Sequence, residues 1–179
     1  MSESENPIGR TPGFAPPAAP APPDVAIRRY RPEDAEAISD LYRKSVTDIG
    51  IELYSRAEVE AWASYADEIE ELRHRLAEGL TLIAECSGRM AAFGQLKPAD
   101  RVEFLYTLKD FSRMGIATLI YRRLEETAIA AGSGVLHTDA SRVSRPLFEK
   151  MGFFLVEAVV EERKGVKIEC FVMRKELPR

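Results

Sequence analysis

The stretch Val102-Glu103-Phe104-Leu105-Tyr106-Thr107-Leu108-Lys109-Asp110-Phe111-Ser112-Arg113-Met114-Gly115-Ile116-Ala117-Thr118 decides how this chain folds. Val102 to Leu108 is apolar and aromatic in the manner of a buried strand. Lys109-Asp110-Phe111-Ser112 makes a short loop, and Gly115 opens a helix. That helix carries Ile116, Leu119, Ile120, Leu124 and Ala128 on one face and ends at Gly132. The first amides of a helix have no partners within it, and the helix dipole adds partial positive charge there. Gly115 and Ala117 leave room for a bulky anion, and Arg113 adds a charged donor. Together these features suit a phosphate or pyrophosphate, although a glycine opening a helix can serve packing alone. Neither G-x-G-x-x-G nor G-K-[ST] occurs, which disfavours a Rossmann cofactor or a Walker-type nucleotide site.

Outward from that stretch the pattern alternates strand and helix. Val25 to Tyr30 reads as a first strand. Pro32-Glu33-Asp34 starts a helix with proline and acids where the first turn favours them, and Ile38, Leu41, Tyr42, Val46 and Ile49 continue it to Gly50. Val59, Trp62, Ala66, Ile69, Leu72 and Leu76 mark a second helical stretch, with a break near Asp67 and an end at Gly79. Leu80–Cys86 and Met90–Leu96 flank Ser87-Gly88-Arg89 as a hairpin. Val135–Thr138 is a short strand, Val143–Met151 a helix closed by Gly152, and Phe153–Val160 and Val166–Met173 pair across Lys164-Gly165. The order β-α-α-β-β-β-α-β-α-β-β predicts an α/β class with a mixed sheet and no repeats.

Residues 1 to 23 hold seven of the eleven prolines, so this segment is expected to be a disordered Pro/Ala-rich tail ahead of a domain spanning residues 24 to 179. A proline-rich ligand for an aromatic groove is the other reading of the tail. With 45% hydrophobic and 30% charged residues, the rest of the chain can build a core. Its net charge of −4 argues against a nucleic-acid binder. No apolar run approaches a membrane span, and no signal peptide is evident, so a cytoplasmic setting is expected. Cys86 and Cys170 supply neither a disulfide framework nor a zinc site, and no metal is expected. His137 reads as a structural histidine and His74 as part of a solvated helix face.

A second block, Ser141-Arg142-Val143-Ser144-Arg145-Pro146-Leu147-Phe148-Glu149-Lys150-Met151-Gly152-Phe153, begins 26 residues after Gly115. Together the two blocks resemble the GNAT N-acetyltransferase superfamily, whose signatures read L-Y-V-x-P-x-x-[QR]-x-x-G-x-[GA] and N-x-x-A-x-x-x-[YF]-x-x-x-G-F. Leu105, Tyr106, Gly115 and Ala117 match the first, and Phe148, Gly152 and Phe153 match the second. The order of elements is also the family order, and within the family the chain is most similar to the YafP-like bacterial branch. There are departures. Ser112 stands at the [QR] position with Arg113 one place later, Lys109 replaces proline, and Ser141 and Ser144 replace Asn and Ala. Phe148 occupies the place of a tyrosine that often protonates the departing thiolate.

The resemblance implies a GNAT fold and an acetyl-CoA co-substrate. Leu105, Tyr106, Thr107, Ser112, Arg113, Met114, Gly115, Ile116, Ala117, Thr118, Ser141, Ser144 and Phe148 would hold it. It further implies acetyl transfer to a primary amine by direct attack in a ternary complex. The attacking nitrogen must first lose a proton, since an alkylammonium dominates at neutral pH. Glu103, on the catalytic strand, is the first candidate base, though a bulge could turn its side chain either way. Glu52, on a segment expected to wall the acceptor pocket, is the second. Tyr54, Trp62 and Tyr65 suggest an aromatic wall for a small-molecule amine, with the chain a monomer or homodimer. A non-catalytic acyl-CoA sensor of the same fold is the alternative, kept open by Phe148.

Overall fold

The structure is a computed structural model that describes residues 24 to 178; the expected tail lies outside these. Seven strands form one sheet: β1 (Val25–Arg29), β2 (Leu80–Cys86), β3 (Arg89–Lys97), β4 (Arg101–Thr107), β5 (Val135–Ala140), β6 (Phe154–Arg163) and β7 (Val166–Glu176). Their order is β1-β2-β3-β4-β5-β7-β6. Every neighbouring pair is antiparallel except β4 and β5, which run parallel. Five α-helices flank the sheet: α1 (Ala35–Gly50), α2 (Arg56–Ala63), α3 (Ile69–Ala77), α4 (Ile116–Ala130) and α5 (Arg145–Lys150). The expected mixed α/β sheet is therefore the one observed.

Local chemistry accounts for the boundaries. Ser55 and Glu58 form a reciprocal capping box that starts α2, with the Glu58 amide donating to Ser55 Oγ at 3.3 Å and the Ser55 amide to Glu58 Oε2 at 2.8 Å. Both two-residue hairpin turns, Ser87-Gly88 and Lys164-Gly165, have positive φ at each position, the twist that antiparallel strands demand. The second helical stretch breaks near Asp67 as expected and is two helices. A 3-10 turn at Ser64–Asp67 separates them, and Glu68 leaves helical geometry at φ −88°, ψ 58°. No glycine or proline marks that break in the sequence.

The sheet buries a core on each face. On one side α4 sets Ile116, Ile120 and Leu124 against Leu82, Ala92, Val102 and Leu136, with Phe148 and Phe153 beside them. On the other, α1 to α3 cover Ile83, Phe93, Phe104 and Ile168 with Ile38, Tyr42, Leu72 and Leu76. Gly94 permits the close seating of α4, since a Cβ there would lie 2.7 Å from Ile120 Cγ2. Among the described residues no helix is long and apolar enough to cross a membrane.

Candidate active site

Parallel strands β4 and β5 register only at Arg101 opposite His137. At that end His137 donates its amide to Asp100 C=O at 2.8 Å and Thr138 Oγ1 donates to Val102 C=O at 3.0 Å. Beyond it the strands part. The Leu108 amide donates to Ala91 C=O on the β3 side at 2.9 Å. Backbone groups alternate along a strand, so those of Tyr106 and Phe104 also turn to β3, while those of Leu105 and Thr107 turn to the gap. Ser45 Oγ donates to the Thr107 carbonyl at 2.9 Å, and the amides of Leu105 and Thr107 face the cleft.

The loop from Ser112 feeds the cleft's far end. Arg113 (φ 61°) and Gly115 (φ 82°) both adopt left-handed backbone, with Gly115 as the N-cap of α4. That helix has no side-chain cap and no acid in its first turn. Its ladder begins with the Leu119 amide donating to Gly115 C=O at 3.0 Å, so the amides of Ile116, Ala117 and Thr118 lack helical partners. A Cβ on Gly115 would meet nothing within 4 Å. The cradle is open, positively polarised and has no acid in the helix's first turn, which suits a diphosphate. Arg113 and Met114 are exposed beside it, and Ser112, Ala117 and Thr118 are partly exposed.

The second block lies across the cleft. Ser141 and Ser144 bond reciprocally, each amide donating to the other's hydroxyl at 3.0 Å. Their side chains thereby shape the turn before α5. Phe148 is buried in edge-to-face contact with Phe153 at 5.1 Å and Tyr121 at 6.4 Å, so it is a core residue on the α4 side.

On the opposite face of the sheet a cavity of about 490 Å³ opens between α2, the 3-10 turn, β4, β5 and the β6–β7 hairpin. Glu103 lines it, and the reason is a β-bulge. Gln95 pairs with Phe104 but Leu96 pairs with Val102, so Glu103 is the extra residue of β4. Val102 accordingly packs into the α4-side core, while Phe104 joins the core beneath α1 to α3. Glu103 turns to the same side, paired with Arg75 and with Arg101 Nε at 3.1 Å. Arg101 also bridges to Asp139 on β5. Arg75 lies over the rings of Phe104 and Tyr65 at 5.2 and 5.4 Å.

Glu52 sits elsewhere. It is exposed after α1, pairs with Lys109 Nζ at 3.1 Å and does not line the cavity. Trp62 and Tyr65 do line it. Tyr54 instead anchors the α1–α2 loop, accepting the Arg142 amide at 2.8 Å and donating to Glu169 C=O at 3.3 Å. Tyr106 and Tyr42 face the cavity with centroids 4.7 Å apart. Burial pushes the phenols of both above the ordinary value, Tyr42 strongly, and nearby Arg163 opposes part of that rise. Burial likewise pushes the Cys170 thiol up to about 11, so a thiolate is not held there at neutral pH.

Arg75, Arg101, Asp139, Glu161 and Arg163 were not among the residues singled out from sequence. The spacing of Arg101-x-Glu103 and Glu161-x-Arg163 is a signal for three of them, because residues two apart on a strand ordinarily share a face; Arg75 and Asp139 carry none.

Comparison with known proteins places the fold in a family. The acetyltransferase (GNAT) domain family matches residues 51–177. The uncharacterized N-acetyltransferase YafP of Escherichia coli K12 is 26% identical over 153 residues, covering 84% of this chain and 95% of YafP. A GCN5-related N-acetyltransferase of Rhodopseudomonas palustris superposes with a TM-score of 0.83 at 32% identity, over 86% of this chain and 96% of that one. The PaiA N-acetyltransferase of Thermoplasma acidophilum, solved in complex with coenzyme A, shares the fold with a TM-score of 0.70 at 20% identity, over 86% of this chain and 99% of that one. With the matched domain covering most of its length, the chain belongs to the GNAT acetyltransferase family.

Proposed function

We propose that the protein transfers an acetyl group from acetyl-CoA to the primary amine of a small molecule, by direct attack within a ternary complex. The observation that carries this reading is the single pairing of β4 with β5 at Arg101 and His137, which leaves the amides of Leu105 and Thr107 unpaired in a chain that also has an open helix N-terminus at Gly115 and a cavity lined by Glu103. The amides of Ile116, Ala117 and Thr118 would hold the diphosphate of acetyl-CoA, with Arg113 adding charge at the rim. Acetyl-CoA supplies an activated thioester carbonyl when bound. The amides of Leu105 and Thr107 are the preorganised donors for an oxygen gaining charge in the cleft, and losing one such donor typically costs about 100- to 1,000-fold in rate.

Glu103 takes the proton from the incoming ammonium, directly or through one water. Arg75 and Arg101 fix the carboxylate, which has acceptor positions left after binding both. Phe148 has no proton to give, so the departing thiolate takes one from water or from Tyr106, whose phenol stays protonated at neutral pH. A thiol pKa near roughly 8.5 makes that step undemanding. We place the protein in the cytoplasm, a reading supported by two cysteines that remain free thiols.

A sensor that binds acyl-CoA without turnover is the second reading, favoured by the burial of Phe148 away from the cavity. Incubation with acetyl-CoA and an amine panel, following thiol release, separates the two. Amine-dependent release supports the enzyme. Calorimetric binding of CoA with no release from any amine supports the sensor.

A further inference from the structure

The acceptor cavity is electrically two-sided. On the hairpin side Arg163 and Lys164 outnumber Glu161 by one charge. On the side built from β4, β5 and the α2–α3 segment, Glu68, Glu103 and Asp139 face only Arg75 and Arg101. Arg163 spends Nε and Nη2 on a single carboxylate oxygen, Glu161 Oε2, at 3.3 and 2.9 Å. Among the described residues Glu161 is its one carboxylate partner, the neutral Tyr42 hydroxyl lies close to the guanidinium, and Lys164 makes no ion pair. The Trp62 ring, 5.9 Å from the Arg163 guanidinium carbon, steadies that planar fork at the cavity wall. Glu68, too, has no ion pair among the described residues.

We propose that the acceptor is a small amine carrying its own carboxylate, of the amino-acid class, and that Arg163 and Lys164 form the subsite for that carboxylate. The proposal rests on the acetyltransferase reading above. A guanidinium fork matches a carboxylate in two parallel hydrogen bonds. With the carboxylate on the hairpin, the ammonium points to the side with excess acid, where Glu103 lines the cavity wall. A polyamine would set one of its cations against Arg163 and Lys164, and a plain alkylamine would make no use of their charge. The volume of about 490 Å³ lies in the range that small metabolites fill.

The test uses the full chain with acetyl-CoA and matched pairs of amines: L-phenylalanine with 2-phenylethylamine, L-leucine with isoamylamine, and L-lysine with cadaverine. Thiol release gives kcat/KM, and calorimetry in the presence of CoA gives Kd for each amine. The carboxylate-bearing member is expected to win by about tenfold or more in both. R163Q and the hairpin-tip variant K164Q should each shrink that ratio, R163Q by about 10- to 100-fold, as for a lost charged hydrogen bond. Equal or better performance by the carboxylate-free amines overturns the subsite, as does a ratio unchanged in both variants. Thiol release without preference removes the subsite and keeps the acetyltransferase. Carboxylate-dependent binding without release does the reverse, and silence in both measurements for every pair overturns both.

Discussion

Arg101 on β4 stands opposite His137 on β5, and this is the one register position the two parallel strands share. The same arginine reaches across to Asp139 and along its own strand to Glu103. A backbone junction and a chain of charges therefore close one end of the gap. The other end is left with the amides of Leu105 and Thr107 unpaired by β5. The sheet is open where a thioester would need donors and shut where it would not.

Glu103→Gln keeps the shape and one acceptor of the side chain but removes its basicity. Turnover should fall about 100-fold or more, while calorimetric affinity for CoA changes less than about twofold, since Glu103 lies outside the Gly115 cradle. Glu52→Gln should leave turnover within about twofold, because Glu52 is an exposed partner of Lys109 beyond the cavity. Steady-state kinetics of the two variants, side by side, check both statements.

Gly115→Ala tests the cradle. At φ 82° an L side chain costs about 1 to 2 kcal/mol of backbone strain, which a denaturation curve reads. The new methyl meets no neighbouring side chain within 4 Å, so it projects into the space that the proposed diphosphate site would use. CoA affinity should therefore weaken by about tenfold or more.

Phe148→Ala should act on stability. The ring fills the space between Tyr121 and Phe153 and is 3% exposed. Emptying such a site costs about 3 to 5 kcal/mol, measured as a shift in denaturant midpoint with unchanged slope.

Asp34 carries a pH-dependent part of the stability. Its carboxylate takes Arg28 Nη1 at 2.7 Å and Nη2 at 2.8 Å, and these hydrogen bonds hold its pKa below the usual value. A carboxyl depressed in the folded state stabilises fully above its unfolded pKa, near roughly 3.9, and loses that contribution as pH falls through the folded value. Asp34→Asn should lower Tm at pH 7, and the gap from the parent should start to narrow as pH falls below about 4. Thermal melts across pH 3 to 7 decide it.

Much of this fold is legible in the sequence because it rests on short-range chemistry. Proline and acids at 32–34, the Ser87-Gly88 and Lys164-Gly165 turns, and Gly115 before an apolar helical face each act within a few residues. What escaped depends on distant partners. The break near Asp67 is legible, but its form, a 3-10 turn ahead of α3, depends on Leu72 and Leu76 seating α3 against the sheet. The facing of Glu103 is set by a bulge, which exists only against the register of β3. Arg75, Arg101, Asp139 and Arg163 come from α3, β4, β5 and β6, and only the folded sheet gathers them around one cavity.

The most direct measurement is the amide spectrum of ¹⁵N-labelled protein titrated with CoA. The largest shifts are expected at Gly115, Ile116, Ala117 and Thr118, with a second group at Leu105 and Thr107. A saturating titration that moved amides elsewhere, or left these six unmoved, would contradict the account.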